Sequence, residues 1–380
     1  MIKNYWLDIL SEMFISAIPQ NYNESKNSEK YSLLENHAMS LLNFKKPDLY
    51  DENYLLLVSL IAEGAHQTMH PNIAYLVYNN FLSVLQANDK RTDWKFYQLY
   101  YNLCRKMIHI TTYIEKHEQT RWLLDKINQI LDVLFSNEEI ARDFWKVDDN
   151  ASELNKYLTA YAKAENKLSE ALHYYAMDDV EAIETILEYP SGETKKLDTT
   201  KYEHLLLTSL YDFISLQDAI DTLSDDIISD SIRESIKTNI NSQKSLIMLM
   251  LNNNDSVINI LSSKDLSTTE DYLTLGLAHL DEALYDKSID ALELALERCK
   301  NEYGVNHTLN ISIRIVLSLC YKFKGILANE SVEKQLFFNT ALQEIEKCEV
   351  LIAKNVETKD ANLIKEIYNE LISLSNGIIL

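Results

Sequence analysis

Glycine and proline are scarce in this sequence, with 6 and 4 among 380 residues. Average usage gives roughly three to five times as many of each. Sheets joined by tight turns need glycine for positive φ and proline to start turns, so a predominantly β architecture is excluded. No proline follows Pro190, and nothing beyond it forces a helix to break. Cysteine is also sparse. Cys104, Cys299, Cys320 and Cys348 form no Cys-x-x-Cys pair and sit in apolar helical contexts. They read as small buried hydrophobes in a reducing compartment, not as a disulfide framework. Basic charge is in deficit, with 36 Lys and Arg against 58 Asp and Glu, a net charge of -22. Such a field repels phosphate backbones and anionic membranes. It fits either a solvated acidic surface or a basic partner.

Other absences narrow the function. Asp8 and Glu12 interrupt the apolar residues of the N-terminus, so no signal-peptide core is expected there. No apolar run approaches a membrane span, which makes the cytoplasm the default location. There is no Gly-x-Ser-x-Gly turn, phosphate loop or dinucleotide fingerprint. Neither a cofactor nor catalysis is expected, since nucleophile, base and oxyanion donor have no recognisable carriers.

What the sequence has in abundance is helical periodicity. Hydrophobic residues make up 46% of the chain, more than one compact core usually holds. Helices are expected from about Glu52 to Glu63 and from Pro71 onward, where proline suits a first turn. A long helix near Asp93 places Phe96, Leu99, Tyr100, Leu103, Met107 and Ile110 on one face. Another carries Trp122, Leu123, Ile127, Ile130, Leu131 and Leu134. From Ala151 the pattern is one of helical hairpins. Val180, Ile183 and Ile186 read as a helix stopped by Pro190, Ser191 to Lys196 as a loop, and Asp198 or Thr199 as the cap of the next helix. Further helices are expected over Ser229 to Leu251, Asp255 to Leu261 and Asp360 to Leu374.

The strongest local pattern runs from Thr269 to Lys300. Tyr272, Leu275 and Gly276 precede a tight turn, and Tyr285, Ser288, Leu292, Ala295 and Leu296 follow it. Small residues at Gly276, Ser288 and Ala295 let two helices approach, and the large ones fill the gaps. This pattern resembles a tetratricopeptide repeat, with His279 at the usual aromatic position and Lys300 at the usual closing proline. Gly304, His307, Leu317, Ser318, Tyr321 and Gly325 repeat the first-helix pattern. Gly276 and Ser318 are 42 residues apart, more than the simple 34-residue period. The spacing is similar to kinesin-light-chain-type repeats, with Gly304 and His307 in the connection and Ala341, Ile345 and Cys348 as packing positions of the second helix. The resemblance covers 269–353.

The resemblance implies an all-α solenoid over 151–380, behind an N-terminal helical domain, bundle or divergent repeats, at 1–150. It places Leu273, Leu277 and Leu280 of one unit, and Ile315, Leu319 and Phe323 of the next, on a concave partner-binding face. The Lys and Asn that the family's best-known clamp uses to hold a peptide carboxylate are missing. The strip is apolar and suits an apolar helix or peptide, unless another helix of the chain fills it.

Other clusters have plainer readings. Glu63, His66 and His70 have a spacing that metal ligands on one helix face can use, but Pro71 disrupts the geometry and no third His or Cys is near, so no metal is expected. His109 and His117 stand no better. Asp148-Asp149, Asp178-Asp179 and Asp225-Asp226 read as helix starts, where the dipole favours negative charge. Asp218, Asp221, Asp225 and Asp226 form an acidic stripe that either receives a basic partner or is simply solvated. The reading that fits best is a non-catalytic protein- or peptide-binding repeat protein, a scaffold or adaptor. A peptide-sensing bacterial regulator and an acidic immunity or antitoxin protein that neutralises a basic toxin are the alternatives.

Overall fold

The computed structural model describes residues 51–67, 71–147, 152–177, 182–188, 194–262, 266, 268–303, 308–353 and 360–376, with isolated positions before 51. The fold is all-helical apart from one short hairpin. The helices are α1 (Glu52–Gln67), α2 (Pro71–Ala87), α3 (Trp94–Tyr113), α4 (His117–Ser136), α5 (Glu138–Trp145) and α6 (Ser152–Ala176). After strands β1 (Ala182–Glu188) and β2 (Thr194–Thr200) come α7 (Lys201–Ile220), α8 (Asp230–Met250), α9 (Asn254–Ser262) and α10 (Thr269–Asp281). The last are α11 (Tyr285–Glu302), α12 (Thr308–Leu327), α13 (Ser331–Ala353) and α14 (Asp360–Asn376).

The hairpin is a correction. Ile183 and Ile186 lie in a strand, with Ile183 opposite Thr199 and Ile186 opposite Lys196. The segment is rich in β-branched residues, which prefer the pleated conformation. It is also too short before Pro190 to propagate a helix. The cap moves with it. Asp198 and Thr199 belong to β2, and Thr200 caps α7 through a capping box. Its amide donates to Glu203 Oε2 at 2.8 Å, and its hydroxyl accepts from the Glu203 amide at 3.3 Å. Other starts follow the sequence closely, with Asp93, Asn137 and Thr268 side chains accepting from backbone amides three residues on.

Helices turn back without glycine. Glu115, Lys146, Asn252 and Ala283 adopt positive φ near 56–58°. At Ala283 the next amide, that of Leu284, donates to the His279 carbonyl at 2.8 Å, and the Ala283 amide donates to Leu280 at 2.9 Å. Lys116 and Asn253 close the same six-residue loop after Glu115 and Asn252. This paired arrangement satisfies helix-end carbonyls that would otherwise be orphaned.

Contacts group Leu82–Asn253 as one compact unit and Met1–Phe81 with Asn254–Leu380 as another. The division expected at residue 150 therefore falls inside the first unit. The reason is α6, which packs on α4, α5 and α7. Asn166 Nδ2 donates to the Leu124 carbonyl at 3.2 Å, Trp145 Nε1 donates to Thr159 Oγ1 at 3.0 Å, and Ser209 Oγ donates to the Ala164 carbonyl at 2.9 Å. Tyr157, Leu168, Ala171, Leu206, Phe213, Leu216, Ile240 and Ile247 form the core around this spine.

In the second unit each helix from α9 to α14 packs on the next, and α10 and α12 also touch, as do α12 and α14. Two core clusters share α12. Ile313, Leu317 and Cys320 face Ile289, Leu292, Ala295 and Cys299 of α11. Ile311 and Ile315 face Phe338, Ala341, Ile345 and Cys348 of α13, with Ile364, Ile367 and Leu371 of α14. Close approach is visible at the small residues. A Cβ on Gly276 would lie 2.7 Å from Leu292 side-chain atoms, and one on Gly325 would lie 2.7 Å from the Phe338 ring. Ser288 Oγ donates to the Gly276 carbonyl at 2.7 Å, and Ser318 Oγ donates to the Ala341 carbonyl at 3.0 Å. The Gly304–His307 connection lies outside the described residues.

Candidate functional site

The strip expected to bind a partner is not one continuous exposed surface. Ile315 is buried in the α12–α13–α14 core, a correction with a simple cause. Helix α12 is sandwiched between α11 and α13, so it carries two apolar stripes, and Ile315 belongs to an inner one. Leu319 is half-buried against the same core. Leu273 and Leu280 are half-buried against the α11–α12 core. Leu277 is half-buried, and Phe323 stacks on Tyr285 with ring centroids 5.8 Å apart. These residues mostly hold the hairpins together.

The apolar residues that reach solvent lie elsewhere in the same hairpins. Three short pieces converge: the α10–α11 turn, the end of α12, and the first turns of α13. Between them lies a groove of about 530 Å³, lined by Leu284, Tyr285, Leu327 and Phe337 among apolar residues and by Asp286, Lys287, Lys324 and Glu333 among charged ones. Leu284 is held there by the turn at Ala283, since its amide is tied to His279. Leu284 is 40% and Leu327 64% exposed, and Val332 and Leu336, on the first turns of α13 but outside the lining, are 81% and 62% exposed. Inside the groove, Lys324 Nζ lies 2.5 Å from Asp286 Oδ1 and 4.7 Å from the centre of the Phe337 ring. Burial, followed by the neighbouring Glu282, raises the Asp281 carboxyl above its ordinary pKa.

Sequence reasoning missed this groove. The available signal was Ile326-Leu327 and Val332-Leu336, apolar residues at helix ends beyond the stripe that the core requires.

A second hollow of about 410 Å³ involves Tyr272, Leu294, Glu297, Arg298, Asn301 and Glu302. Its polar groups are engaged with one another. Burial pushes the Glu302 carboxyl up, but bonds from Thr269 (2.7 Å) and Arg298 (2.6 Å) outweigh it and hold the group below its usual range. Tyr303 donates to Glu270 at 2.9 Å.

The remaining candidates are dispersed. His70 lies outside the described residues, as do Asp148-Asp149 and Asp178-Asp179. His109 and His117 stand on different helices, and His117 instead meets His173, with ring centroids 5.6 Å apart. Among the described residues no group of three or more His, Cys, Asp or Glu side chains is placed to hold a metal. The acidic stripe is partly neutralised by α8: Asp221 pairs with Lys237 at 2.5 Å and Asp225 with Arg233 at 3.0 Å. All four cysteines are buried, and burial pushes the Cys104 thiol up to about 12, so they act as packing groups. No helix among the described residues is long and apolar enough to cross a membrane.

No protein-family model and no curated protein matches the chain. Among solved structures it is similar to a Signal Transduction ATPase with Numerous Domains (STAND) protein with a tetratricopeptide repeat sensor from Pyrococcus horikoshii. The similarity covers 94% of this chain and 54% of that one, at 11% identity and a TM-score of 0.33. The chain thus spans about half the length of that structure, and a likeness this distant carries no functional argument.

Proposed function

We propose that the chain is a non-catalytic, protein- or peptide-binding helical-repeat protein, and that it binds through the groove at the turn edge of the α10–α11 and α12–α13 hairpins. The observation that carries this reading is the exposure of Leu284 and Leu327 in a groove that Tyr285 and Phe337 also line, with Val332 and Leu336 exposed on the first turns of α13. Large apolar side chains clustered at one edge are characteristic of interaction surfaces, whereas singly scattered ones need no explanation. Burying what remains exposed of such a half-exposed leucine is worth about 1–2 kcal/mol, a fraction of the value for full burial, so a few of them supply the anchors of an interface.

The test is affinity capture from the native host's lysate, with the wild-type chain beside a Leu284→Ser/Leu327→Ser variant and a salt-gradient wash. Both leucines face solvent, so the variant keeps its helical circular dichroism. The expected result is a protein retained by the wild type and lost by the variant. Equal retention by both overturns the groove as the site. Salt separates charge-driven capture, as by an acidic immunity or antitoxin protein, from apolar contact, as by a scaffold or peptide-sensing regulator. A partner kept at high salt favours an apolar contact, and one released by modest salt favours capture of a basic protein.

A further inference from the structure

The groove carries an internal ion pair that points to the chemistry of its ligand. Lys324 Nζ occupies a position between the Asp286 carboxylate, 2.5 Å away, and the Phe337 ring, 4.7 Å from its centre. A carboxylate and an aromatic face converging on one point are a recognition site for an ammonium or guanidinium group. The Asp286 side chain is 83% exposed, while that of Lys324 is only 24% exposed. The carboxylate therefore keeps an open side toward solvent. The surrounding charge has the same sense. Asp281, Glu282, Glu330 and Glu333 are exposed on the two turns and the start of α13, against an exposed Lys287 and a half-buried Lys334. Carboxylates outnumber lysines at this edge, and the whole chain is acidic, with a net charge of -22.

We infer that the groove binds a peptide segment whose leucine-like side chains contact Leu284 and Leu327 and whose lysine or arginine takes the Asp286–Phe337 position now held by Lys324. This inference rests on the groove being the binding site. It adds the partner's chemistry, an amphipathic basic segment. Lys324 is then an internal competitor for the ligand's cation. Removing it strengthens binding of a basic peptide and weakens binding of an acidic one.

The experiment is fluorescence anisotropy on the full chain with three labelled peptides of one leucine pattern, LKKLLKKLLKKL, LSSLLSSLLSSL and LEELLEELLEEL. The lysine peptide binds best, by roughly tenfold or more over the glutamate peptide. Asp286→Asn weakens it roughly fivefold, and Lys324→Met tightens it by a similar factor, as expected for one exposed charge contact with a ring. Thermal melts of both variants verify the fold, and Leu327→Ser provides a second variant that weakens binding of the lysine peptide through the lost apolar contact, without adding charge or touching the ion pair. Equal binding of the serine and lysine peptides overturns the charge assignment and leaves the peptide-binding reading intact. Tighter binding of the glutamate peptide, or a lysine peptide indifferent to Asp286→Asn, also overturns the assignment. If none of the three binds, the assigned ligand is wrong, and the capture experiment decides the broader reading separately.

Discussion

At the scale of single residues, the hairpins depend on small groups in tight places and on strained turns. Gly276 has no room for a methyl group, because Leu292 lies 2.7 Å from where a Cβ would stand. Gly276→Ala is expected to cost about 1–3 kcal/mol through overpacking, read as a lower urea midpoint. Ala283 presents the opposite case. It holds φ at 56°, where an L side chain is disfavoured and glycine is not. Ala283→Gly is expected to raise stability by about 0.5–1 kcal/mol, part of the gain being lost to the freer unfolded chain. An unchanged or lower midpoint contradicts this account of the turn.

Histidine adds a pH dependence at the same scale. His173 and His279 are 2% and 6% exposed, and each Nδ1 lacks a hydrogen-bond partner among the described residues. Burial lowers the pKa of both, followed by the neighbouring His117 and Arg121 for His173 and Lys287 for His279. The folded state therefore holds them neutral. Stability is full above the ordinary histidine value of about 6.5 and is lost as pH falls below it, because only the unfolded chain then gains the protons. Acidification also relieves repulsion in a chain of net charge -22, so the informative quantity is a difference. Between pH 7.5 and 5.5 the wild type should lose more stability than a His173→Phe/His279→Phe variant, and equal losses would contradict neutral burial.

At the scale of elements, the helices were legible because each buries one stripe and so shows a 3.6-residue period. The long helix near Asp93 and the pair of helices from Thr269 follow directly. The strands were not legible in the same way. Ile183 and Ile186 satisfy a helical spacing, and only their β-branched neighbours and Pro190 argue for a strand. The binding strip failed for a related reason. Helix α12 buries apolar residues on two sides, and spacing cannot say which stripe faces a neighbour and which faces solvent. Leu319 illustrates the consequence. It packs on the α13–α14 core, so Leu319→Glu places a charge in apolar surroundings and should lower stability by about 2 kcal/mol or more. A variant that keeps wild-type stability would return Leu319 to the surface. By contrast, the groove residues Leu284 and Leu327 lie at helix ends, where no core period marks them.

At the scale of the whole molecule, composition was informative about class and nearly silent about place. Few glycines and prolines excluded a predominantly β architecture, and the helical hairpins close instead on Glu115, Asn252 and Ala283. The boundary expected at residue 150 moved because polar ties from Asn166, Thr159 and Ser209 join α6 to helices on both sides of it in the sequence. Such long-range contacts leave no local pattern. The acidic charge, with the Asp286–Lys324–Phe337 arrangement, gives the groove its electrostatic character. Binding of a basic partner is expected to weaken as salt rises, with the apolar part of the contact persisting.

The most direct test of the central claim is site-specific photo-crosslinking in the native host, with a photoreactive residue at position 327 or 336 and, for comparison, at Phe135, which is 67% exposed on the other unit. The account predicts one adduct of defined mass from 327 and 336 and none from 135. No adduct at 327 and 336, or the same adduct at all three positions, would contradict a binding site in the groove.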